Sequence, residues 1–578
     1  MKNLPINYVD YYNTVPVKEI SLDYREELTK FQMVRKSISH VGRRIVILPI
    51  LLHLAASTPA PRKLVIGVDG GTESIRACCF DAVNGRVVGQ ACAIPYQTYH
   101  PRPGWAEQDP ADWYESLGKS VRGAVESTEN EGNFEFCAIC LDTTCCSVVA
   151  LDAAFNPLRP CLLWMDARSA PQTEAILKKC RGDPALNVNC GGEGPLSAEW
   201  MTPKALWIKE NEPDIWEAAV TICEYQDYLN YKLTNVMCAS SCNAAARWHW
   251  DGEECIKSSD LGRPLSLYET LGIPELTEKL PQKCIPMGAL VGQLTTDAAK
   301  HLNLPEGLPV AQGGPDAFVG MIGLGCVYAG QLCLITGSSH LLCVVSSKPT
   351  TAKGTWGAYR GAPLPGINFA EGGQSSTGSI LRWAKSLFGN NLEYKILDDE
   401  ASRIPPGSDG LVGLETFQGS RTPETDPLAR GALMGLTLSH TRGHVWRALM
   451  EAVCFGTRAS MDGLAQAGHD CREIIIAGGA TRSPLWLQMH ADVTGRSVVV
   501  CENADAPLLG SAILASVGAG VHGTVDGAVK EMVRTAKRVE PNPENAAVYN
   551  NLFEIYIKMS PSARPVAHSI AAFKGSSR

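Results

Sequence analysis

Asp316 stands behind two glycines and a proline, in Gln312-Gly313-Gly314-Pro315-Asp316-Ala317, and an apolar, helix-compatible run from Ala317 to Leu324 follows at once. The glycines let backbone pass close to another group, and a carboxylate in a first helical turn is favoured by the helix dipole. Alone, such an aspartate reads first as a helix cap. Its surroundings decide whether it is also a base. Asp69-Gly70-Gly71-Thr72-Glu73-Ser74 joins two apolar runs, Leu64–Asp69 and Ile75–Asp81. Glycines and hydroxyls in such a turn present donors to phosphate oxygens, and Asp69 just before it is placed to hold a hydrated magnesium ion. A plain hairpin turn is the alternative. Thr336-Gly337-Ser338-Ser339-His340 repeats the pattern between Gly330–Ile335 and Leu341–Ser346. Gly478-Gly479-Ala480-Thr481-Arg482-Ser483 feeds a helix over 484–494, and glycines at a helix N-terminus suit a phosphate or nucleotide.

Further polar residues interrupt apolar patterns. Asp142-Thr143-Thr144-Cys145-Cys146 breaks a strand pair, with Ser147 to Asp152 expected to return beside Phe134 to Asp142; such breaks mark places where a ligand approaches. Lys204 opens an amphipathic helix against the dipole preference. Glu371 lies in Phe369-Ala370-Glu371-Gly372-Gly373-Gln374, expected as a strand-to-helix junction. Cys137 and Cys140 have a metal-like spacing, but they fall in a strand, where residues three apart point to opposite faces. The aromatics of Cys223–Tyr228 and Arg247–Trp250 read as core.

The elements positioning these groups are those of an α/β chain. Asp109-Pro110 caps a helix to about Ser127, and Asn84-Gly85 makes a hairpin turn. Two strand–hydroxyl-turn–strand units, one in each half, predict a duplicated fold whose turns grip one polyphosphate. The expected halves are 62–309 and 310–560, with an extension over 1–61 and a disordered tail over 561–578. The segment from Met33 is basic with a short apolar run at Ile45–Leu54, too short to span a bilayer as a helix. Read from Met33 it resembles an organellar presequence or a signal peptide; read from Met1 it is expected as a disordered extension or an over-extended start, and the expected location is the cytoplasm, with an organelle as the alternative. Apolar residues make up 45% and charged residues 19% of the chain, as in a soluble globular protein. The net charge of -8 excludes a nucleic-acid partner, and no membrane partner is expected. The 21 cysteines sit in apolar runs, which reads as reduced core usage.

Together, DGGTES at 69–74, PKALWIKEN at 203–211, GGPDA at 313–317, TGSSH at 336–340 and GGATRSPLWLQMHADVTGR at 478–496 resemble the FGGY family of carbohydrate kinases across about 63–559. The resemblance implies two ribonuclease-H-like (actin-type) domains flanking a central cleft, with ATP and Mg2+ as cofactors. It implies that Asp69 helps hold magnesium. Gly70, Gly71, Thr72 and Ser74 would meet phosphate from one domain, and Thr336, Gly337 and Ser338 from the other, while Gly478, Gly479 and Ala480 border the adenosine. Asp316 is similar to the catalytic base. Leu141-Asp142-Thr143-Thr144-Cys145 departs from the glycerol- and xylulokinase patterns. Glu199-Trp200-Met201, Pro203-Lys204 and Glu371–Ser375 resemble the ribulokinase branch, with Trp164-Met165-Asp166 closest to D-ribulose kinases. Thr144, Cys145, Lys204, Asp316 and Glu371 are thereby implied in sugar binding. Met201 departs from the family's first signature, which expects Pro, Ser or Thr there, and this leaves the sugar open. D-ribulose stands first, then ribitol, L-ribulose or D-xylulose. A non-catalytic sugar sensor and an actin- or chaperone-like ATPase are the other classes, and a homodimer is possible.

Overall fold

Alternating and continuous apolar runs make the strands here, and small residues decide how the strands meet the helices. The computed structural model describes residues 61–188, 196–349, 351, 354–389 and 391–573. The extension before Pro61, residues 189–195 and the last five residues lie outside them.

The first sheet is built from β1 (Arg62–Gly70), β2 (Ser74–Asp81), β3 (Val87–Pro95), β4 (Phe134–Thr143), β5 (Leu290–Gln293) and β6 (Pro309–Ala311), in the order β5-β6-β4-β1-β2-β3. The second comprises β7 (Gln331–Thr336), β8 (His340–Ser346), β9 (Trp356–Arg360), β10 (Asn368–Gln374), β11 (Glu473–Gly478), β12 (Ser497–Cys501) and β13 (Thr535–Val539), in the order β9-β10-β8-β7-β11-β12-β13. In both, an antiparallel meander is followed by two parallel strands and an antiparallel edge. The duplication is thus visible in topology: β1 answers to β7, and β4 to β11. In each half the glycine turn therefore leaves a strand beside the end of its parallel neighbour. Asp69 is in register with Asp142, and Thr336 with Gly478.

The helices that support these ends are α1 (Pro110–Glu126), α2 (Met201–Asn211), α3 (Ser241–Arg247), α4 (Asp316–Gly323), α5 (Pro484–Thr494), α6 (Ala506–Gly518) and α7 (Pro543–Ala572). Asp109 caps α1, its side chain accepting from the Ala111 N–H. α6 comes from the second half of the sequence but lies across β1 and β4 of the first sheet and crosses α4. Side chains would hold these backbones apart. A Cβ at Gly67 would lie 2.2 Å from the Leu508 carbonyl oxygen, and one at Gly510 would lie 2.0 Å from that of Val319. Residues from both halves consequently share one apolar core, including Val65, Ala138, Phe318, Val345, Leu508 and Ala512.

Three expectations are corrected. β6 is a strand of the first sheet, so the first half extends past residue 309. The strand Val148–Leu151 does not return beside β4; it pairs with Thr221–Glu224 in a separate four-stranded sheet. The tail is not disordered as far as Phe573: α7 runs through Pro561 and Pro565 to Ala572. Met559 and Ala567 are buried there, and Arg564 and His568 pair with Asp426. Among the described residues no helix is long and apolar enough to cross a membrane.

Gly67→Ala tests the backbone contact of α6 with β1. The added methyl meets a carbonyl that cannot rotate away, and a loss of about 1–3 kcal/mol is expected in denaturant unfolding. An unchanged midpoint would show that α6 does not rest on β1 at this point.

Candidate active site

The glycine-rich loop before α4 is pressed onto the end of β4. A Cβ at Gly313 would lie 1.8 Å from the Leu141 carbonyl oxygen, and the Thr143 N–H donates to the Gly314 carbonyl at 3.2 Å. Pro315 then starts α4, with Asp316 as its first residue. The Asp316 carboxylate accepts from the Ala317 N–H at 2.7 Å. Burial and the nearby Asp69 push its pKa up to about 7, against the opposing effect of that N–H, Arg247 and Arg76. Desolvation and a like charge thus outweigh the helix terminus. A carboxylate poised near neutrality suits a general base.

Asp69 at the end of β1 is buried and ion-paired with Arg76, whose other nitrogen reaches Asp505 at 2.7 Å. Beside it, Asp142 is fully buried. One of its oxygens accepts from Ser511 of α6 at 2.7 Å and the other has no partner. Burial next to Asp69 raises its carboxyl well above the usual range. Sequence reading noted the polar break at Asp142 but not this pairing, although the parallel register of two strands ending in aspartate carried the signal. Among the described residues no three His, Cys, Asp or Glu side chains gather to hold a metal ion by themselves. Two adjacent carboxylates with an orphaned oxygen beside a glycine–hydroxyl turn do fit magnesium, which binds through one or two carboxylates, waters and substrate phosphate.

The turns are partly closed on themselves. The Gly71 N–H donates to the Ser74 carbonyl at 3.0 Å, and the Gly337 N–H to that of Ser339 at 2.9 Å. The Thr72 hydroxyl accepts from the Trp164 indole at 3.0 Å, Gly70 accepts from the Thr144 N–H at 2.9 Å, and Ser74 begins β2. Thr336 departs from expectation. Its hydroxyl donates to the Ala477 carbonyl at 2.6 Å and accepts from the Ala480 N–H at 3.0 Å, so it ties the two glycine turns of the second half together. Ser338 and Gly478 are exposed. Gly337, Gly479, Ala480, Arg482, Tyr394 and Trp446 line a cavity of about 700 Å³, a volume suited to a small ligand.

On the sugar side, Lys204 is corrected. It is fully buried in α2, and its ammonium donates to the carbonyls of Cys146, Leu163 and Trp164, at 2.8, 2.5 and 3.3 Å. Three donors meet three carbonyls, which leaves none for a sugar. Burial lowers its pKa. Its place is structural: Cys146 adopts a left-handed φ of 61°, a strained conformation for a side-chain-bearing residue. Lys204 holds that peptide by its carbonyl, while Glu224 accepts from its N–H at 2.7 Å. The clamp presents Thr144 and half-buried Cys145; the Thr144 hydroxyl lies 3.3 Å from that of Ser147. Glu371 sits in the middle of β10 rather than at a junction, and it is ion-paired with Arg247 at 2.8 Å. Arg247 opens the Arg247–Trp250 stretch, whose aromatics read as core in the sequence.

Paired actin-like domains, with carboxylates and glycine–hydroxyl turns at their strand ends, define a phosphotransferase of the sugar-kinase class. The N-terminal and C-terminal domain models of the FGGY family of carbohydrate kinases match residues 64–323 and 332–519. The chain is 30% identical to an FGGY carbohydrate kinase domain-containing protein of Xenopus laevis, over 86% of this chain and 96% of that one. It is 29% identical to a ribulokinase of Halalkalibacterium halodurans, over 86% and 94%. A xylulose kinase structure from Rhodospirillum rubrum superposes with a TM-score of 0.75 at 28% identity, over 87% of this chain and 100% of that one. The chain belongs to the FGGY family of carbohydrate kinases, whose members use ATP.

Lys204→Met tests the carbonyl cage. With three buried carbonyls left unpaired, a stability loss of at least about 2 kcal/mol is expected in chemical denaturation. A variant as stable as wild type but defective in sugar affinity would return Lys204 to the sugar.

Proposed function

We propose that the protein transfers the γ-phosphoryl group of ATP to a five-carbon sugar, D-ribulose first, with Asp316 as the general base. The supporting observation is the placement of Asp316: a carboxyl near neutrality at the start of α4, bonded through its own loop to β4 beside Asp142 and Asp69. The sugar hydroxyl gives its proton to Asp316 as its oxygen attacks the γ-phosphorus. The bond from that phosphorus to the β–γ bridging oxygen breaks, and ADP leaves with the electron pair. Asp316 then releases the proton to water. Asp69 and Asp142 would hold magnesium, which when bound neutralises charge on the phosphate oxygens. Gly337, Gly479 and Ala480 border the adenosine, and Thr72, Ser74 and Ser338 meet phosphate. Thr144, Cys145 and Glu371 border the sugar. Closure of the two domains excludes water, which would otherwise accept the phosphoryl group.

D-Ribulose is placed first because Asp142-Thr143-Thr144-Cys145 and Trp164-Met165-Asp166 resemble D-ribulose kinases. D-Xylulose is the second reading, carried by the similarity to the Rhodospirillum xylulose kinase. ADP release measured over D-ribulose, D-xylulose, L-ribulose, ribitol and glycerol decides among them, and turnover of glycerol alone would refute the pentose assignment.

Asp316→Asn is expected to lower kcat by about 10²–10⁴-fold while sugar affinity is kept; near-normal turnover would remove the base. With its pKa near 7, Asp316 loses its base form as pH falls, so kcat/KM for the sugar should decline by one proton below about pH 7. A profile flat from about pH 5.5 to 8.5 would contradict this.

A further inference from the structure

Arg247 ends α3 in the first half and reaches the second sheet. One guanidinium nitrogen donates to both oxygens of Glu371, at 2.8 and 3.1 Å, and the other donates to the Tyr359 hydroxyl of β9 at 2.8 Å. The guanidinium also lies over the rings of Phe318, Tyr359 and Trp200, at 5.4, 5.5 and 5.6 Å. Phe318 is two residues past Asp316 on α4, and Arg247 acts electrostatically on Asp316 and is itself influenced by Cys145. The sugar-side residues Cys145 and Glu371, the base and Arg247 therefore form one neighbourhood, walled by aromatic faces.

Two cations act on Asp316. Arg76 is held by Asp69 and Asp505, beside the phosphate turn. Arg247 is held by Glu371 and Tyr359, among the rings. On the sugar side, with Lys204 enclosed by carbonyls, Arg247 is the remaining cation: its Nε–H takes part in none of its hydrogen bonds, which all run through the two terminal nitrogens, and its side chain is 14% exposed, against 3% for Glu371. As a strut alone the pair would be poorly explained, since a buried ion pair adds little stability over apolar contacts. As a recognition device it is well formed. A guanidinium only donates and a carboxylate only accepts, so side by side they select a keto oxygen next to a hydroxyl.

We propose that Arg247 determines specificity by donating to the keto oxygen of the acceptor sugar. Glu371 and Tyr359 fix its plane, and Glu371 accepts from the adjoining hydroxyl. This rests on the kinase reading above and deepens it: the preferred substrate class is a ketopentose over a pentitol, because a pentitol hydroxyl can also accept from the guanidinium but must then place its own proton, while Glu371 is already engaged by the adjoining hydroxyl.

The test is steady-state kinetics of the full chain with D-ribulose and with ribitol, for wild type, Arg247→Lys, Arg247→Ala and Tyr359→Phe, with thermal unfolding of each. Arg247→Lys keeps the charge and loses the planar fork. It is expected to raise KM for D-ribulose about tenfold, to lower the ribulose-to-ribitol ratio of kcat/KM by a similar factor, and to leave KM for ATP within about twofold. Tyr359→Phe, which keeps every charge, should shift the ketose KM in the same direction by about threefold, and it carries the test where Arg247→Ala does not fold. An unchanged sugar KM overturns the inference, as does a uniform change in both sugars, ATP and melting temperature, which is the signature of a strut. A wild type that prefers ribitol overturns it too. A wild type that phosphorylates no sugar overturns the kinase reading itself, whereas an active wild type matched by Arg247→Lys overturns the role of Arg247 alone.

Discussion

The site depends on backbones approaching closer than side chains allow. α6 crosses α4 where a Cβ at Gly323 would lie 1.9 Å from the Ala506 carbonyl oxygen, and the other contacts fall at Gly510 and Gly67. α4 begins with Asp316, Asp69 is the last residue but one of β1, and Ser511 of α6 bonds Asp142 on β4. One helix thus sets the mutual position of three carboxylates from separate elements. Glycine supplies this at the expense of conformational freedom in the unfolded chain, and close packing makes the arrangement stiff.

Gathering carboxylates in a desolvated place is unfavourable unless cations answer them. Arg76 answers Asp69, and Arg247 answers Glu371 while acting on Asp316 from the sugar side. Among the described residues Asp142 has no ion-pair partner: Ser511 donates to one of its oxygens, and the carboxyl otherwise lies against Asp69. A buried carboxyl left without a cation is costly, and a bound ion with its waters and phosphate would satisfy it. The unequal compensation underlies the proposed roles, in which the carboxyl near neutrality would take a proton and the pair at the strand ends would face the phosphates.

Much of this was legible in the sequence, and the rest was not for identifiable reasons. The two glycine–hydroxyl turns, the strands around them and α5 from Pro484 to Thr494 follow from local chemistry: glycine, hydroxyl and proline at fixed places. Lys204 misled because its partners are main-chain carbonyls of Cys146, Leu163 and Trp164, which any residue type would supply. Arg247 was missed because Glu371 is 124 residues away, and aromatic neighbours at helical spacing point to core. The end of α7 was hidden by Pro561 and Pro565, whose breaking tendency is outweighed by buried Met559 and Ala567 and by pairs to Asp426. Long-range charge pairing and backbone acceptors leave no local trace.

The central claim is that α6 packing delivers Asp316 to the hydroxyl that is phosphorylated. A crystal structure of the full chain with magnesium, a non-hydrolysable ATP analogue and the sugar with the highest kcat/KM tests it directly. The sugar oxygen within about 3 Å of the Asp316 carboxylate is expected to be the one that carries phosphate in the product, with the γ-phosphorus in line beyond it. A sugar bound with that oxygen turned away from Asp316, or seated against the Lys204 ammonium, would contradict it.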